Sequence, residues 1–290
     1  MKNLTRKLSA LALSTVFAVT QISYAAIDTG LGNGIGGAVI NDVTGGWAGM
    51  TTGDGTADLN FNGSSHVMWD ALNVNSGETL NFNAVDGANG ITVLNTVNGG
   101  ISQIYGNINA NDGIGNLIIS NPNGVLFDGA HFSAAGDVMV TTNPMSASYD
   151  CDNQMIINGV NVTDKYAAIK IQNSDFSVGG EYTILAPVIE AATSKFTVGN
   201  GLKLVTTDGV EYARTRIQKD NNGRSQFVAD RVIKLDAVDV DGNVEIVQNG
   251  NGMVQINNGG TINGNLSVTS DDSVAINYYN PNGKIGRAHV

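Results

Sequence analysis

The sequence has few of the residues that cross-link, stiffen or charge a protein chain. Among its 290 residues are one cysteine and four prolines, and only 14% of the residues are charged. The single cysteine, Cys151, excludes an internal disulfide. We expect an unpaired, buried thiol there, with an intermolecular bond as the alternative.

Basic residues are also scarce. The chain has 15 Lys and Arg against 26 Asp and Glu, which gives a net charge of −11. Phosphate binding needs clustered Lys and Arg, so this balance argues against a nucleic-acid partner. The densest basic stretch, from Arg214 to Lys234, is interrupted by acidic residues. We interpret it as a solvated loop or hairpin edge.

Long apolar runs are missing as well. The longest candidate, Leu8 to Val19, is 12 residues, whereas a helix needs about 20 to cross a bilayer. This run follows Lys2, Arg6 and Lys7 and precedes the small-residue site Ser23-Tyr24-Ala25. Residues 1–25 therefore read as a secretory signal peptide for the Sec export machinery.

Glycine and asparagine, by contrast, are abundant. Gly accounts for 37 residues, and 42% of the chain is hydrophobic in alternating patterns, which indicates short strands joined by tight turns rather than disorder. Near the C-terminus, strand starts recur about every 10 residues and alternate strands about every 20, which favours a solenoid. An antiparallel sandwich is the main alternative. The repeating apolar pairs are Val244/Ile246, Val254/Ile256, Leu266/Val268 and Val274/Ile276.

A tetrapeptide, Asn121-Pro122-Asn123-Gly124, has the residue preferences of a tight turn. Asn at the first position accepts a bond from the backbone two residues on, Pro presets φ, and Gly closes the turn. The β-patterned runs Leu117–Ile119 and Val125–Phe127 flank it. The turn is therefore predicted to join two strands.

Two upstream segments, taken together with this turn, give a more specific signal than the turn alone. They run from Trp69 to Phe82 and from Ser102 to Gly106. In this order, with the tetrapeptide, they resemble the N-terminal two-partner-secretion (haemagglutination activity) domain. Filamentous haemagglutinins, high-molecular-weight adhesins, related haemolysins and contact-dependent inhibition proteins share this domain. The second tetrapeptide of some members, Asn-Pro-Asn-Leu, is absent, which leaves the branch of the family open.

The resemblance implies an all-β fold, a right-handed parallel β-helix with an N-terminal capping region. We predict a signal peptide at 1–25, a cap at 26–66, the two-partner-secretion β-helix domain at 67–243 and the start of a repetitive shaft at 244–290. The sequence ends after a second Asn-Pro-Asn-Gly at 280–283, while the strand repeat is still continuing. We therefore expect the N-terminal piece of a longer protein.

The function implied is that of a non-catalytic secretion module at the start of a large exported adhesin or exoprotein. An outer-membrane β-barrel transporter would recognise it through periplasmic domains, and it would nucleate β-helix folding outside the cell. The resemblance assigns the secretion motif to Asn121, Pro122, Asn123 and Gly124. Host-cell or neighbouring-cell receptors would bind downstream regions, and the destination is the medium or the cell surface.

Two other functions remain open. Parallel β-helices also include polysaccharide-degrading enzymes, for which Asp271-Asp272 is the best carboxylate pair. Adjacent strand residues point to opposite faces, so two turn aspartates are the simpler interpretation. The second alternative is the delivery stalk of a contact-dependent inhibition toxin or a haemolysin.

No metal or cofactor is expected. His66, His131 and His289 have no companions at metal-ligand spacing. The segment Gly53-Asp54-Gly55 with Asp58 is only superficially similar to a calcium loop and lacks the EF-hand pattern.

The alternation from Trp69 to Asn83 predicts which side chains form the core. Trp69, Leu72, Val74, Leu80 and Phe82 are predicted to face inward. Between them, Asn73, Asn75, Asn81 and Asn83 are expected to stack in ladders or face solvent.

Overall fold

The computed structural model describes residues 35–151, 154–159, 167–206, 216–219, 225–228, 232–250, 252–257 and 259–276. Every regular element in these segments is a β-strand, as predicted. None of the residues so described forms a helix with the length and apolarity to cross a membrane. The predicted signal peptide and His289 lie outside the described residues.

Most strands contain three to seven residues, and the first two are much longer. The strands are β1 (Val39–Gly53), β2 (Thr56–Ala71), β3 (Thr79–Ala84), β4 (Ile91–Val97), β5 (Ser102–Ile104), β6 (Asn107–Ala110), β7 (Ile114–Ser120), β8 (Val125–Asp128), β9 (His131–Ala134), β10 (Asp137–Thr141), β11 (Met145–Tyr149), β12 (Met155–Gly159), β13 (Ala168–Gln172), β14 (Asp175–Val178), β15 (Glu181–Leu185), β16 (Val188–Ala192), β17 (Lys195–Val198), β18 (Gly201–Val205), β19 (Arg216–Lys219), β20 (Ser225–Val228), β21 (Val232–Asp236), β22 (Asp239–Asp241), β23 (Val244–Gln248), β24 (Met253–Asn257), β25 (Leu266–Ser270) and β26 (Ser273–Ile276).

These strands stack in parallel on three faces. The first face is β2-β3-β6-β9-β14-β17-β22, the second is β2-β4-β7-β10-β15-β18-β23-β25, and the third is β5-β8-β13-β16-β21-β24-β26. The chain visits the faces in that order, so each passage through the three forms one rung. Strand β2 lies in the first rung, and β9, β10 and β13 form the fourth. This is the parallel β-helix that the sequence predicts. Among the described pairings only β1–β2, β11–β12 and β19–β20 are antiparallel, which rules out a sandwich.

The core lies inside the three faces. It is formed by every second side chain of each strand in these faces, which points inward. On the first face Phe132, Phe176 and Phe196 are in register on β9, β14 and β17. Their ring centroids are 5.8 Å and 4.9 Å apart in stacked pairs. Tyr182 of the second face stacks on Phe176 at 5.3 Å. The predicted core residues Trp69, Leu72, Val74, Leu80 and Phe82 are all buried, which confirms the inward assignment.

Tyr182 carries a polar atom into this aromatic stack. Its hydroxyl is buried without a hydrogen-bond partner, and burial raises the pKa of the phenol. Burying a hydroxyl without a hydrogen-bond partner costs free energy, and a phenyl ring without the hydroxyl would not incur this cost.

We therefore expect Tyr182→Phe to increase the free energy of unfolding by about 1 kcal/mol, since the ring stacking is kept and the unpaired group is removed. Urea denaturation of the purified protein measures this. Tyr105→Phe is the control, because the Tyr105 hydroxyl is exposed and donates to Gln103 Oε1 at 3.4 Å. A loss of stability in Tyr182→Phe would show that the hydroxyl has a partner in solution.

The N-terminal cap is built by β1, which pairs antiparallel with β2 along its edge. Ile40 and Val43 of β1 are buried. Trp47 packs edge-on against Phe61, with 5.4 Å between ring centroids. Strand β2 runs unbroken through residues 66 and 67, where the sequence analysis places the boundary between cap and helix.

The outer surface of the first face carries the asparagine ladders that the sequence suggested. Asn109 Nδ2 donates to Asn81 Oδ1 at 2.8 Å, and Asn81 Nδ2 donates to Asp58 Oδ1 at 2.7 Å. Asn83 Nδ2 donates to Asn60 Oδ1 at 3.3 Å. Asn73 and Asn75 lie outside these ladders: Asn73 Oδ1 accepts from the Gln103 amide and Asn75 contacts Glu78.

The C-terminal apolar pairs form strands as predicted. Val244, Ile246, Val254, Ile256 and Val268 are buried. Leu266 and Val274 pack partly against the core, whereas Ile276 is 36% exposed. Strand β26, which contains Ile276, pairs only with β24 among the described strands.

Two antiparallel hairpins interrupt the rungs at the corner between the second and third faces. The β11–β12 hairpin lies between β10 and β13, and the β19–β20 hairpin lies between β18 and β21. The predicted hairpin edge in the basic stretch agrees with β19–β20. Apart from these two strands and Lys234, that stretch lies outside the described residues.

The prediction that Cys151 is buried is wrong. Cys151 is the second residue after β11 and is exposed in the turn of the hairpin. In this turn the Asp150 amide donates to the Gln154 carbonyl at 3.1 Å. The hairpin leaves the β-helix, so its turn has no core to enter.

Candidate functional site

The segment Asn121-Pro122-Asn123-Gly124 forms the predicted turn and joins β7 to β8. The Gly124 amide donates to the Asn121 carbonyl at 3.0 Å, which closes the turn. The Asn123 amide donates to Asn121 Oδ1 at 2.9 Å, so the asparagine side chain also bonds the backbone two residues on. The turn takes the chain from the second face to the third.

The side chain of Asn121 connects neighbouring rungs. It is completely buried, and its Nδ2 donates to the Gly100 carbonyl and to Ser102 Oγ, each at 2.9 Å. Gly100 and Ser102 belong to the preceding rung. The Asn121 amide donates in the other direction, to the Thr141 carbonyl of the following rung, at 2.9 Å. One residue thus links three consecutive rungs.

Gly124 is placed where a larger residue does not fit. Its φ is +108°, in the region that favours glycine. A Cβ at this position would lie 2.7 Å from the Ala168 carbonyl oxygen of β13, in the next rung. The Gly124 carbonyl also accepts from the Ser102 amide at 3.1 Å. The glycine is therefore needed for both the turn and the close approach of the next rung.

Asn123 completes the contact with the rung before it. Its Nδ2 donates to the carbonyl of Gly99. Gly99 itself packs so closely on the Asp70 carbonyl of the first rung that a Cβ would overlap it. Side chains of the tetrapeptide therefore bond successive residues, 99 and 100, of the preceding corner. The tetrapeptide thus holds two neighbouring rungs together through side-chain hydrogen bonds.

A second polar contact lies inside the core, and the sequence analysis did not single it out. Trp69 Nε1 donates to Asn95 Oδ1 at 3.0 Å, and Asn95 Nδ2 donates to the Ile118 carbonyl at 3.1 Å. Both Trp69 and Asn95 are completely buried. The available signal was the alternation in Ile91-Thr-Val-Leu-Asn-Thr-Val97, which puts Asn95 at an inward position.

Asp271 and Asp272, the candidate carboxylate pair, both accept hydrogen bonds from backbone amides. Asp271 Oδ2 accepts from the Gly250 amide at 2.8 Å, and Asp272 Oδ2 accepts from the Gly252 amide at 3.0 Å. These bonds join the corner of one rung to the corner of the rung before it. The turn interpretation of Asp271 and Asp272 agrees with this geometry.

The two described histidines lie on different strands, His66 on β2 and His131 on β9. His66 is nearly buried, and its Nε2 is 2.8 Å from Thr96 Oγ1. Burial lowers the pKa of His66, and the nearby Asp42 carboxylate partly opposes this. His131 is exposed on the first face, with Nδ1 3.6 Å from Asp175 Oδ2. In the portion of the chain with described coordinates, no three metal-ligating side chains cluster.

The calcium-like segment is the β1–β2 turn. Asp54 has a φ of +44° in this turn. Asp58 lies on β2, where it accepts from Thr51 Oγ1 at 3.2 Å and from the Asn81 side chain. The Asp58 carboxylate is therefore part of the ladder on the first face.

Comparisons with known proteins agree with this geometry. The profile of the TPS secretion domain family matches residues 39–286. A comparison with curated protein sequences returns no match. Among solved structures, the crystal structure of the HMW1 secretion domain from Haemophilus influenzae matches with a TM-score of 0.54 and 17% identity.

That match covers 88% of this chain and 65% of the HMW1 chain. At this identity the likeness concerns the fold, which is a β-helix in both. The family profile extends over most of the chain, from the cap strand β1 to the last strands described. The chain therefore belongs to the TPS secretion domain family, the N-terminal domains of two-partner-secretion exoproteins.

Proposed function

We propose that this domain directs the export of a large adhesin or exoprotein and begins its folding outside the cell, without catalysis of its own. The Sec machinery delivers the chain to the periplasm. An outer-membrane β-barrel transporter with periplasmic recognition domains then passes it outward. Membership of a secretion-domain family supports this role. Receptors of host or neighbouring cells bind the downstream regions.

The observation that carries the proposal is the burial of Asn121. Its side chain has no accessible surface and bonds residues of the preceding rung. A transporter could touch this side chain only before the rungs close. In the folded domain, the secretion motif acts by fastening the early rungs, so export depends on it through folding.

Rung-by-rung folding supplies the direction of movement. Each rung places apolar side chains in the interior, as Phe176, Tyr182 and Ile189 do in the rung of β14, β15 and β16. Burying one such side chain stabilises the folded chain by about 1.5–3 kcal/mol. A segment that has folded outside does not slip back readily through a pore that passes an extended chain. Export can therefore proceed without a nucleotide.

Recognition on the periplasmic side fits strand addition. An unfolded chain with alternating apolar residues can pair with an exposed sheet edge of the transporter's periplasmic domain through main-chain bonds. The same alternation later forms the rungs. The two pairings compete, which makes release from the transporter the step that allows folding.

Co-expression with the cognate transporter tests the proposal. The full chain is expressed with the transporter, without it, and with a transporter lacking its periplasmic domains, and protein in the medium is compared with periplasmic protein. We expect the chain in the medium only with the intact transporter. A chain lacking residues 2–25 is the control for Sec entry and should stay in the cytoplasm. Equal amounts in the medium with and without the transporter would overturn the proposal.

A further inference from the structure

The β11–β12 hairpin reaches back across the outside of the helix to the N-terminal cap. It leaves the chain after β10 of the fourth rung, yet the Tyr149 hydroxyl at its end donates to the Thr44 carbonyl of β1 at 3.1 Å. Thr44 and His66 are directly paired across β1 and β2. Tyr149 therefore bonds β1 at a position where β1 and β2 are directly paired.

Gly45 makes room for this contact. A Cβ on Gly45 would overlap both the Tyr149 hydroxyl and the Ser64 carbonyl. The pairing of β1 with β2 is irregular between Gly45 and Trp47, where β2 passes from the first face to the second. The hairpin thus contacts the cap at Thr44, next to the point where the pairing of β1 with β2 is interrupted.

The hairpin also covers side chains that point away from the core. Val93 and Asn95 of β4 face inward, and Leu94 between them faces outward, yet all three are completely buried. His66 is in the same position on β2, between the inward-facing Ser65 and Val67, and is only 7% exposed. Strand β11 lies against β4. Leu94 and His66 are therefore buried on the outside of the helix, on the side where β11 lies against β4.

We propose that the β11–β12 hairpin is a strap that locks the N-terminal cap once the fourth rung has formed. The Tyr149–Thr44 bond joins residues 105 positions apart in sequence. The cap strand β1 can pair with β2 early, but the contact that holds its irregular middle arrives only with residue 149. The cap and the first four rungs thus become one cooperative unit at that point.

The strap is a property of the folded chain and does not depend on a transporter. The insertion that forms it replaces a short turn, since the corresponding corner of the fifth rung contains only Ala186 and Pro187. Local opening of a protein segment is governed by the contacts that hold it, so loss of the strap is expected to free β1 without affecting distant rungs.

Hydrogen exchange of the purified mature chain tests this. In Tyr149→Phe, which loses the hydroxyl and keeps the ring, we expect the amides of β1 to exchange about three- to tenfold faster. Tyr149→Ala also removes the packing and should accelerate them further. The amides of β23, four rungs or more from the cap, serve as the internal reference and should be unchanged.

Tyr105→Phe is the matched control, since the hydroxyl of Tyr105 forms an exposed hydrogen bond within its own strand region, to Gln103 Oε1. It should leave β1 exchange at the wild-type rate. The proposal is overturned if β1 exchanges at the wild-type rate in both Tyr149 variants. It is equally overturned if Tyr149→Phe accelerates β1 and β23 alike, because that would indicate general destabilisation rather than a strap.

Discussion

Asn121→Ala combined with Gly124→Val is expected to abolish export and to lower the free energy of unfolding by about 3–7 kcal/mol, a large part of the 5–15 kcal/mol of a typical domain. Asn121→Ala removes three side-chain hydrogen bonds, to Gly100, Ser102 and the Asn123 amide. Gly124→Val puts a β-branched side chain at a φ of +108° and against the Ala168 carbonyl. The two sites share a turn, so their effects are not expected to be additive.

Two measurements separate the outcomes for this double variant. Urea denaturation of the purified chain gives the stability, and co-expression with the transporter gives the ratio of medium to periplasmic protein. The same two substitutions at Asn280 and Gly283, in the second copy of the tetrapeptide, are the control for composition. Wild-type export from the 121/124 variant would show that this turn neither fastens the early rungs nor signals export.

The sequence allowed the turn at 121–124 to be predicted because its chemistry is local. Asn121 and Gly124 bond each other within four residues, and residue preferences for such turns hold in most proteins. The same reasoning predicted the inward set from Trp69 to Phe82, since alternation along one strand decides which side chains share a face. The rung period was readable for the same reason near the C-terminus, where successive rungs contain no insertion.

The links between rungs were not predictable in this way. The partners of Asn121 lie 19 and 21 residues earlier in the chain, and the register that brings them together depends on the length of the intervening turns. The predicted turn would have the same sequence whether it faced solvent or the neighbouring corner. Its complete burial, and hence its role in the folded state, required the structure.

Cys151 and Tyr149 illustrate a second limit. Both belong to a hairpin that leaves the β-helix, and their neighbours in sequence show the same short-strand pattern as a rung. Strand β11 alternates between partly buried and exposed residues and is not completely buried at any position. A pattern of period two identifies a strand but does not say which layer it joins, so the free cysteine was placed in the wrong one.

The corner between the second and third faces combines these features. Three successive corners contain the loop with Gly99 and Gly100, the tetrapeptide turn and the β11–β12 insertion. The tetrapeptide bonds the first of these, and Thr141 at the start of the third accepts from the Asn121 amide. These contacts between rungs are thus concentrated along one edge, where the tetrapeptide turn and the β11–β12 hairpin begin within about one rung of each other.

Asn95→Leu is expected to lower the free energy of unfolding by about 1–3 kcal/mol, because it leaves the buried Trp69 indole N–H without its partner. Asn95 Oδ1 accepts from Trp69 Nε1 at 3.0 Å. Asn95 Nδ2 also donates at 3.1 Å to the Ile118 carbonyl, which keeps a main-chain partner in the parallel ladder of β4 and β7. Leucine is similar to asparagine in shape, so little cavity or overlap is added. Urea denaturation followed by circular dichroism measures the stability, since this signal does not depend on either of the two tryptophans.

A double-mutant cycle identifies the cause of that loss. Trp69→Phe removes the indole N–H, so the pair Trp69→Phe with Asn95→Leu should cost about 1–3 kcal/mol less than the sum of the two single variants. Asn109→Leu is the matched control, since Asn109 bonds Asn81 on the half-buried outer surface of the first face and should lose under about 1 kcal/mol. If Asn95→Leu costs no more than Asn109→Leu, the buried bond does not stabilise the fold. If the two single losses simply add, Trp69 and Asn95 act independently, and the link between the first and third rungs does not pass through them.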